Sequence, residues 1–508
     1  MTAEPVVVLA VDCSTTAAKA VAYDATGAVV AQSARPLVTD QPQASWHEQD
    51  ARQWWTATRD ALADVVGQLA GTATVGAVCL THQRETFVCV DENGTPVRPA
   101  ILWLDGRAHA EIAELGSPRV HALSGKPPDT TPALYKLAWL SRHEPATLRT
   151  AARIADVHAY LAHELTGRWA TSHASADTLG LFDLESLTWS PELLELAGVR
   201  PDQLPDLVHS GAVIASLTPE AARTIGLPGP VPLVAGIGDG QAAGIALGVT
   251  APGVAYVNLG TSMVLGTPSS TYVTDPAFRT LAGVVPGTFM LETVLNAAAY
   301  VATWCRQEFG GTVADAGDLE TAAAAVPPGA EGLLTLPYWN AAQTPYWDPL
   351  ARGATIGWHG RHTRAHLYRS ILEGVGFELR LQLERLEEVT GVPLTSLRLV
   401  GGGARSPLWV QILSDITHRQ VRVCSTGELS AAGAGILART YLDRDAPSAP
   451  SAAPSAEPAG HDVRPDESTA SAYDASFAVY VTLYPQLREI FEHLAAAAAP
   501  GRTEPADG

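Results

Sequence analysis

The stretch VPLVAGIGDGQAAGIALG, Val231 to Gly248, decides how the chain folds. Its first part, Val231 to Ile237, is an apolar run that predicts a buried strand, and the small residues after Asp239 predict a helix. Asp239 lies between the two elements with Gly238 and Gly240 on either side. A carboxylate at the exposed end of a buried strand points at whatever binds there. The alternative is that Asp239 only caps the helix, since Asp is a favoured N-cap residue.

Other turns of the chain favour the first interpretation. Val6 to Val11 is a β-branched run that leads into the turn Asp12-Cys13-Ser14-Thr15-Thr16. Small residues leave backbone N–H groups open to an anion, and the three hydroxyls can add hydrogen bonds. Asp12 fits such a site if a divalent cation lies between its carboxylate and the anion. The alternative is a hairpin turn that is rich in Ser and Thr for local hydrogen bonding.

The same pattern returns in the second half of the chain. Val254 to Leu259 predicts a strand, Gly260-Thr261-Ser262 a hydroxyl turn, and Met263 to Thr267 a second strand. A glycine turn, Gly401-Gly402-Gly403-Ala404, follows a strand and precedes a helix, so a flat or charged ligand can lie against bare backbone. The repeat predicts two duplicated α/β domains, residues 1–248 and 249–508, with a cleft between them.

Composition limits the classes of function. A chain of 508 residues is too long for one core, and its formal charge of -20, from 33 basic and 53 acidic residues, disfavours nucleic acid or an anionic membrane as a partner. Five dispersed cysteines without a C-x-x-C pair indicate a reducing cytosol rather than a disulfide framework or a structural zinc. The start of the sequence lacks a signal peptide, and no run is long enough to span a bilayer. We therefore expect a cytoplasmic protein, and a homodimer stays open.

Several longer elements are expected outside the turns. Helices are predicted over Glu48 to Leu69, Pro132 to His143, Arg364 to Val389, Ser406 to Ile416 and Tyr473 to Ala496. Asp445 to Thr469, rich in Pro, Ala, Ser and acids, predicts a disordered insertion.

A group of polar side chains follows two predicted strands of the first half. Arg84 and Glu85 come after one strand, and Trp103 and Asp105 come after another. An arginine and carboxylates can hold several hydroxyls while an indole face lies against carbon, which is the chemistry of a sugar or polyol site. An ordinary surface ion pair is the alternative for Arg84 and Glu85.

These stretches together resemble the FGGY family of carbohydrate kinases. The most specific pieces are TPYWDPLARGATIGWHGRHTRAHLYRSILEGVGFELR (Thr344 to Arg380), LVGGGARSPLWVQILSDITHRQV (Leu399 to Val421) and the Asp239 stretch. The resemblance covers about Val6 to Leu442 and again the last helix. It implies a two-domain actin-like ATPase fold, which is ribonuclease-H-like, with the cleft between duplicated α/β domains.

The resemblance also implies a reaction and the residues that perform it. The reaction is phosphorylation of a sugar or polyol hydroxyl with ATP and Mg²⁺ as cofactors. Asp239 matches the general base, and Asp12 matches the acid that positions Mg²⁺. Nucleotide and phosphate contacts are implied for Ser14, Thr15, Thr16, Lys19, Gly260, Thr261, Ser262, Gly401, Gly402, Gly403 and Ala404. Substrate contacts are implied for Gln83, Arg84, Glu85, Trp103, Asp105, Asp239 and Gln241.

The substrate is less sharply indicated. The second half, with GGGARSPLW and QTPYWDP, is similar to xylulose kinases, whereas the stretch Gln83-Arg84-Glu85-Thr86 is similar to glycerol kinases. Thr131, however, stands where glycerol kinases have a substrate-contacting Tyr, and Gly240 stands where both groups have Gln or Asn. D-Xylulose is therefore the first choice, and glycerol or an erythritol-type polyol is the alternative. A non-catalytic actin-like protein is a remote alternative, because it would be expected to lose Asp12 or Asp239.

Overall fold

Two mixed sheets, one in each half of the chain, carry the fold. The computed structural model describes residues 4–310, 315–425, 427–444 and 458–498. The N-terminal sheet has the strand order Val213–Ser216, Pro232–Gly238, Thr74–His82, Val6–Cys13, Ala17–Tyr23, Val29–Pro36. The C-terminal sheet has the order Arg279–Ala282, Phe289–Leu295, Met263–Ser269, Val254–Leu259, Ser396–Val400, Gln420–Cys424, Gly460–Val463.

The two sheets repeat one topology. In each, three antiparallel strands are followed by two further strands that run parallel to the innermost of the three, and an antiparallel edge strand closes the series. Arg279–Ala282 is an additional edge strand of the C-terminal sheet. The predicted α/β fold with duplicated halves is confirmed.

Apolar sequence explains the inner strands. Val6–Cys13 is buried from its second residue to its last, as its continuous β-branched and apolar run predicts. Its register sets Asp12 opposite Lys19 on one neighbour and opposite Thr81 on the other. The carboxylate therefore lies at the end of a central strand, where the sheet opens.

Helices cover both sheets. The principal helices are Arg52–Leu69, Ala133–His143, Val157–Thr166, Asp239–Ala246, Ala299–Phe309, Asp315–Ala324, Arg364–Thr390, Pro407–Thr417, Leu429–Asp443 and Ala470–Ala498. Shorter helices are His109–Leu115, Pro118–Ser124, Pro145–Thr150, His173–Ala176, Pro191–Ala197 and Pro219–Thr224. None of the helices in the described ranges is long and apolar enough to cross a membrane.

Smaller sheets complete the two halves. Glu48–Gln49, Ala100–Ile101, Phe87–Val90 and Arg153–Asp156 form one sheet of four strands. Three two-stranded sheets pair Phe182–Asp183 with Thr188–Trp189, Asp206–Val208 with Ala170–Ser172, and Leu334–Leu336 with Ala354–Ile356.

One helix of the second half returns to the first. Leu429–Asp443 packs its small residues against the N-terminal sheet and against Asp239–Ala246. The approach is so close that a Cβ on Gly433 would lie 2.0 Å from the carbonyl oxygen of Ala242. The two halves therefore share a core, and residues 429–443 cross the domain boundary that the sequence predicts at residue 248.

Two expectations about secondary structure are wrong. The helix expected from Glu48 begins at Arg52, because Glu48–Gln49 instead pairs as a strand with Ala100–Ile101. The disordered insertion is wrong for Gly460–Val463, which forms the last edge strand against Gln420–Cys424. The Pro- and Ala-rich residues 445–457 lie outside the described residues.

Candidate active site

A cavity of about 390 Å³ lies between the two halves, where strand ends of both sheets meet. Asp12 lies on a strand of the N-terminal sheet and Asn258 on a strand of the C-terminal sheet. Asp239 and Gly401 each directly follow a strand of these sheets. The remaining lining residues are Arg84, Gly240, Ala243, Leu247, Tyr256, Val264, Val400, Gly427, Glu428, Leu429 and Ser430. The cavity thus brings together the residues predicted for the base and the metal with Gly401 of the glycine turn, and Asn258 and Val264 lie on the two strands that the second hydroxyl turn joins.

Asp239 faces this cavity as a partly exposed carboxylate. It is the first residue of the helix Asp239–Ala246, and Gly238 takes the N-cap position without a side-chain bond. Its Oδ1 accepts a hydrogen bond from the N–H of Gly240 at 2.8 Å and lies 3.4 Å from Nε of Arg84. Because 39% of the side chain remains exposed, the carboxylate is open to a ligand rather than used up in capping the helix.

Asp12 is a buried carboxylate with one oxygen left unpaired. Its Oδ1 is buried and makes no hydrogen bond to any residue that the structure describes. Burial, and after it the nearby charge of Asp239, raises its pKa to about 7, although Lys19 opposes this rise. An unpaired buried carboxylate beside a second one suits a divalent cation, which prefers oxygen ligands and would neutralise both.

The first hydroxyl turn is held by its neighbours. Ser14 Oγ donates to the carbonyl of Ala17, and Thr15 Oγ1 donates to Oε1 of Gln83 at 3.1 Å. Thr16 is exposed. These bonds fix the turn and leave it open at the surface, as an anion site requires.

Lys19 lies on the second strand of the same hairpin, opposite Asp12. Its Nζ lies 2.8 Å from Oε2 of Glu428, and about a third of its side chain is exposed. Glu428 itself lines the cleft cavity, so this pair links the first hairpin to the segment that precedes Leu429–Asp443.

The second hydroxyl turn is anchored through its backbone. The carbonyls of Gly260 and Thr261 accept bonds from the N–H groups of Ala299 and Ala298, at 3.0 and 2.9 Å. The side chain of Thr261 is exposed, and Ser262 is half-buried. The side chains of this turn are therefore available to a ligand while its backbone is fixed.

The glycine turn needs at least one of its glycines. Gly401 has φ of 96°, and a Cβ there would lie 2.6 Å from the carbonyl oxygen of Leu259 and 2.7 Å from Oδ1 of Asn258. Gly402 is exposed, whereas Gly403 and Ala404 are buried against the strand behind them. Gly401 and Gly402 offer backbone to the cleft, and the other two residues serve packing.

The predicted substrate residues divide into two groups. Arg84 lines the cleft cavity, and Glu85 is paired with Arg279 of the other half. Trp103 is partly exposed. Gln83 and Gln241 are buried, with Gln83 supporting the first turn and Gln241 Nε2 donating to the carbonyls of Ala174 and Ala282. The amide nitrogens of both glutamines are thus held by neighbouring protein groups, while Oε1 of Gln241 is buried without a hydrogen-bond partner among the described residues.

Asp105 is the clearest correction among the predicted substrate residues. Its side chain has no exposed surface, and Arg107 Nε donates to Oδ1 at 2.8 Å. Its Oδ2 also accepts the N–H of His47 at 2.6 Å. The carboxylate is used by its near neighbour in sequence, so it fixes the loop behind Trp103 and does not reach a ligand.

Trp103 is held at the edge of the cleft. Its Nε1 donates to Oγ1 of Thr15 at 3.0 Å, while 38% of the residue stays exposed. The fully buried Lys136 donates to the carbonyls of Trp103 and Thr131, at 3.0 and 2.8 Å, and burial lowers its pKa to about 8. One lysine therefore fixes two segments that border the substrate end of the cleft.

Sequence reasoning missed the partners of Arg84 and Glu85. Arg84 Nη1 and Nη2 both donate to the carboxylate of Glu292 at 3.1 Å, and Arg279 Nη1 donates to Oε1 of Glu85 at 3.2 Å. Arg279 and Glu292 are also cross-strand neighbours in the C-terminal sheet. The available signal was a charged residue in each of two otherwise apolar strands, RTLA and FMLETVL.

Known proteins share both the domains and the architecture. The N-terminal domain of the FGGY family of carbohydrate kinases matches residues 7–246, and the C-terminal domain of that family matches residues 255–441. A xylulose kinase of Escherichia coli (strain K12) is 31% identical over 439 residues, covering 85% of this chain and 89% of that protein. A gluconokinase of Bacillus subtilis (strain 168) is 29% identical over 450 residues, covering 84% and 86%.

The chain is similar at the same level of identity to a kinase named for a third substrate, glycerol. A glycerol kinase of Geobacter sp. (strain M21) is 31% identical over 450 residues, covering 85% of this chain and 89% of that protein. The crystal structure of xylulose kinase from Rhodospirillum rubrum superposes with a TM-score of 0.89 at 29% identity, covering 96% of this chain and 100% of that one. The cleft geometry and both domain matches lead to one conclusion: the chain belongs to the FGGY family of carbohydrate kinases and is an ATP-dependent sugar kinase.

Proposed function

We propose that this kinase transfers the γ-phosphoryl group of ATP to a terminal hydroxyl of a ketopentose, with D-xylulose converted to D-xylulose 5-phosphate as the best fit. The observation that carries the proposal is the balance of charge at the substrate end of the cleft. The names of the relatives alone leave ketose, polyol and aldonate acceptors open, and these differ in charge and length.

The charge balance supports a neutral acceptor. Arg84 is already paired with Glu292, and Arg279 is already paired with both Glu292 and Glu85. With Asp239 these five groups hold two positive and three negative charges, so neither arginine is left over for a substrate carboxylate. An aldonate such as gluconate would meet like charge at close range, which costs several kcal/mol, whereas a ketose would not.

The small side chain at position 131, beside Arg279, supports a chain longer than three carbons. Thr131, where glycerol kinases have Tyr, leaves room, and its Oγ1 lies 3.4 Å from Nη1 of Arg279. Asp129 accepts from Thr131 Oγ1 at 3.0 Å and from Nε2 of Gln343 at 3.3 Å. Oε1 of Gln343 is buried and has no hydrogen-bond partner among the described residues, so it can accept a hydrogen bond from a hydroxyl of the sugar.

The chemistry assigned to the chain is positioning and one proton transfer. Asp239 accepts the proton of the attacking hydroxyl, which requires that the hydroxyl lie within hydrogen-bond reach of its exposed carboxylate. Trp103 covers the carbon skeleton, and the hydroxyl turns and Gly401 hold the phosphates and the adenosine side. Asp12, with its unpaired Oδ1, would hold Mg²⁺, which when bound neutralises phosphate charge.

A cytoplasmic location is part of the proposal. All five cysteines are buried free thiols, as expected for a protein that works in a reducing compartment.

The test is acceptor-dependent ADP release with Mg²⁺-ATP and a panel of D-xylulose, other D- and L-ketopentoses, erythritol, glycerol and gluconate. The expected result is the highest kcat/KM for D-xylulose and a much lower value for gluconate. Phosphorus NMR of the product would then place the phosphate on the terminal carbon. A preference for gluconate would refute the charge argument, and a preference for glycerol or erythritol would support a polyol kinase instead.

A further inference from the structure

Four buried charged side chains join the two halves at the base of the cleft. Arg84 and Glu85 come from the N-terminal half, and Arg279 and Glu292 come from neighbouring strands of the C-terminal sheet. Arg279 Nε donates to Oε1 of Glu292 at 2.7 Å, and its Nη1 reaches Glu85 at 3.2 Å. We call these four residues the interdomain charge cluster.

Glu292 is the centre of this cluster. Its side chain has no exposed surface, and its carboxylate accepts from both arginines and from Oη of Tyr256 at 3.2 Å. Burial opposes its ionisation, but the two arginines outweigh burial and lower its pKa to about 2. Glu292 is therefore an anion whose oxygens are all engaged, and such a group holds its partners in one geometry.

The partner that matters for the reaction is Arg84. Glu292 accepts hydrogen bonds from both terminal nitrogens of Arg84. The Nε atom of Arg84 is therefore the one that faces Oδ1 of Asp239, at 3.4 Å. Without the Glu292 carboxylate, the terminal nitrogens of Arg84 could rotate towards Asp239 and form a bidentate ion pair with it. That pair would occupy the oxygens that must meet the sugar hydroxyl.

We propose that Glu292 is a positioning residue that holds Arg84 away from a full ion pair with Asp239, so that the base stays open to the substrate only when the two halves are in contact. The inference rests on Asp239 being the base in the proposed function. Glu292 touches neither reacting atom; it acts through Arg84. The role ties proton transfer to the arrangement of the two domains, since the carboxylate and the base come from different halves.

The first experiment is a double-mutant cycle on Arg84 and Glu292, measured with whichever acceptor of the panel gives the highest rate. Glu292→Gln should lower kcat by about 10- to 100-fold and leave the KM for ATP unchanged, the scale of loss expected when a reacting group is misplaced. Arg84→Lys keeps the charge but lacks the fork that bridges Asp239 and Glu292. If Glu292 acts through Arg84, the double variant should lose no more than the worse single variant. Losses that multiply would overturn the proposal.

A second variant separates positioning from charge balance, because Glu292→Gln alone leaves an excess buried cation. Arg279→Gln/Glu292→Gln keeps the cluster neutral, so its unfolding temperature should recover towards wild type while kcat stays low. Recovery of kcat together with the unfolding temperature would show that Glu292 only balances charge, and would overturn the proposal.

A matched control is Glu373→Gln, which also breaks a buried pair, that with Arg369 at 2.7 Å, in the helix Arg364–Thr390. It should lower stability without changing kcat. A fall in kcat as large as that of Glu292→Gln would mean that any buried ion pair has this effect, and would overturn the proposal. Full activity of Asp239→Asn would instead overturn the base assignment, so the two failures are distinguishable.

Discussion

Replacement of Asp12 by Asn should stabilise the ligand-free protein while it abolishes efficient turnover. The pKa of Asp12 rises from 3.8 to about 7, first because burial disfavours the charged carboxylate and second because Asp239 is near. A rise of about three pH units corresponds to about 4 kcal/mol of destabilisation once the group is ionised in the folded state. The folded protein binds this proton more tightly than the unfolded chain, so stability is lost as pH rises from about 4 to about 7.

The assay is thermal unfolding in EDTA at pH 8 and at pH 5. Asp12→Asn should unfold at a higher temperature than wild type at pH 8, and the difference should shrink at pH 5, where the folded wild type already carries the proton. The matched control is Asp24→Asn in the next turn of the same hairpin. Hydrogen bonds from Thr26 and Ala28 lower the pKa of that exposed carboxyl, so its removal should bring no gain at pH 8. Equal unfolding temperatures for Asp12→Asn and wild type at pH 8 would refute the reasoning.

Two further substitutions test the two sides of the cleft. Gly401→Ala should raise the KM for ATP by about 10-fold or more, because its Cβ would meet Leu259 and φ is 96°, whereas Gly67→Ala, which meets nothing within 4 Å, should be neutral in steady-state kinetics. An unchanged KM for ATP in Gly401→Ala would contradict the assigned nucleotide turn. Trp103→Ala should raise the KM for the sugar more than the KM for ATP, and Trp103→Phe should have a smaller effect because only the bond to Thr15 is lost. Equal effects on both KM values would argue against a substrate contact.

The sequence predicts the architecture of the cleft well because the ends of buried strands meet by geometry. Asp12, Asp239 and Gly401 each follow an apolar run, and the fold brings all three to one cavity. Local pattern was sufficient there, since the ends of neighbouring strands lie at the same edge of their sheet.

The partners of these residues could not be predicted in the same way. Arg279 pairs with Glu292 through strand register, and Glu292 meets Arg84 across 208 residues of sequence, so neither contact leaves a local pattern. Asp105 is the opposite case, because the Arg107 that engages it stands two residues away and could have been recognised. The strand Gly460–Val463 was not predicted because its four residues lie within a longer segment whose composition is typical of disorder.

The measurement that tests the central claim most directly is the turnover of Asp239→Asn with D-xylulose and Mg²⁺-ATP, together with separate binding titrations of both ligands. The side chain is partly exposed, and Asn keeps its shape and its ability to accept from the Gly240 N–H, so the fold should survive the change. Both ligands should bind as in wild type, and kcat should fall by roughly 100-fold or more, the scale of general-base catalysis and positioning. Near-normal turnover in this variant would refute the assignment of Asp239 as the base.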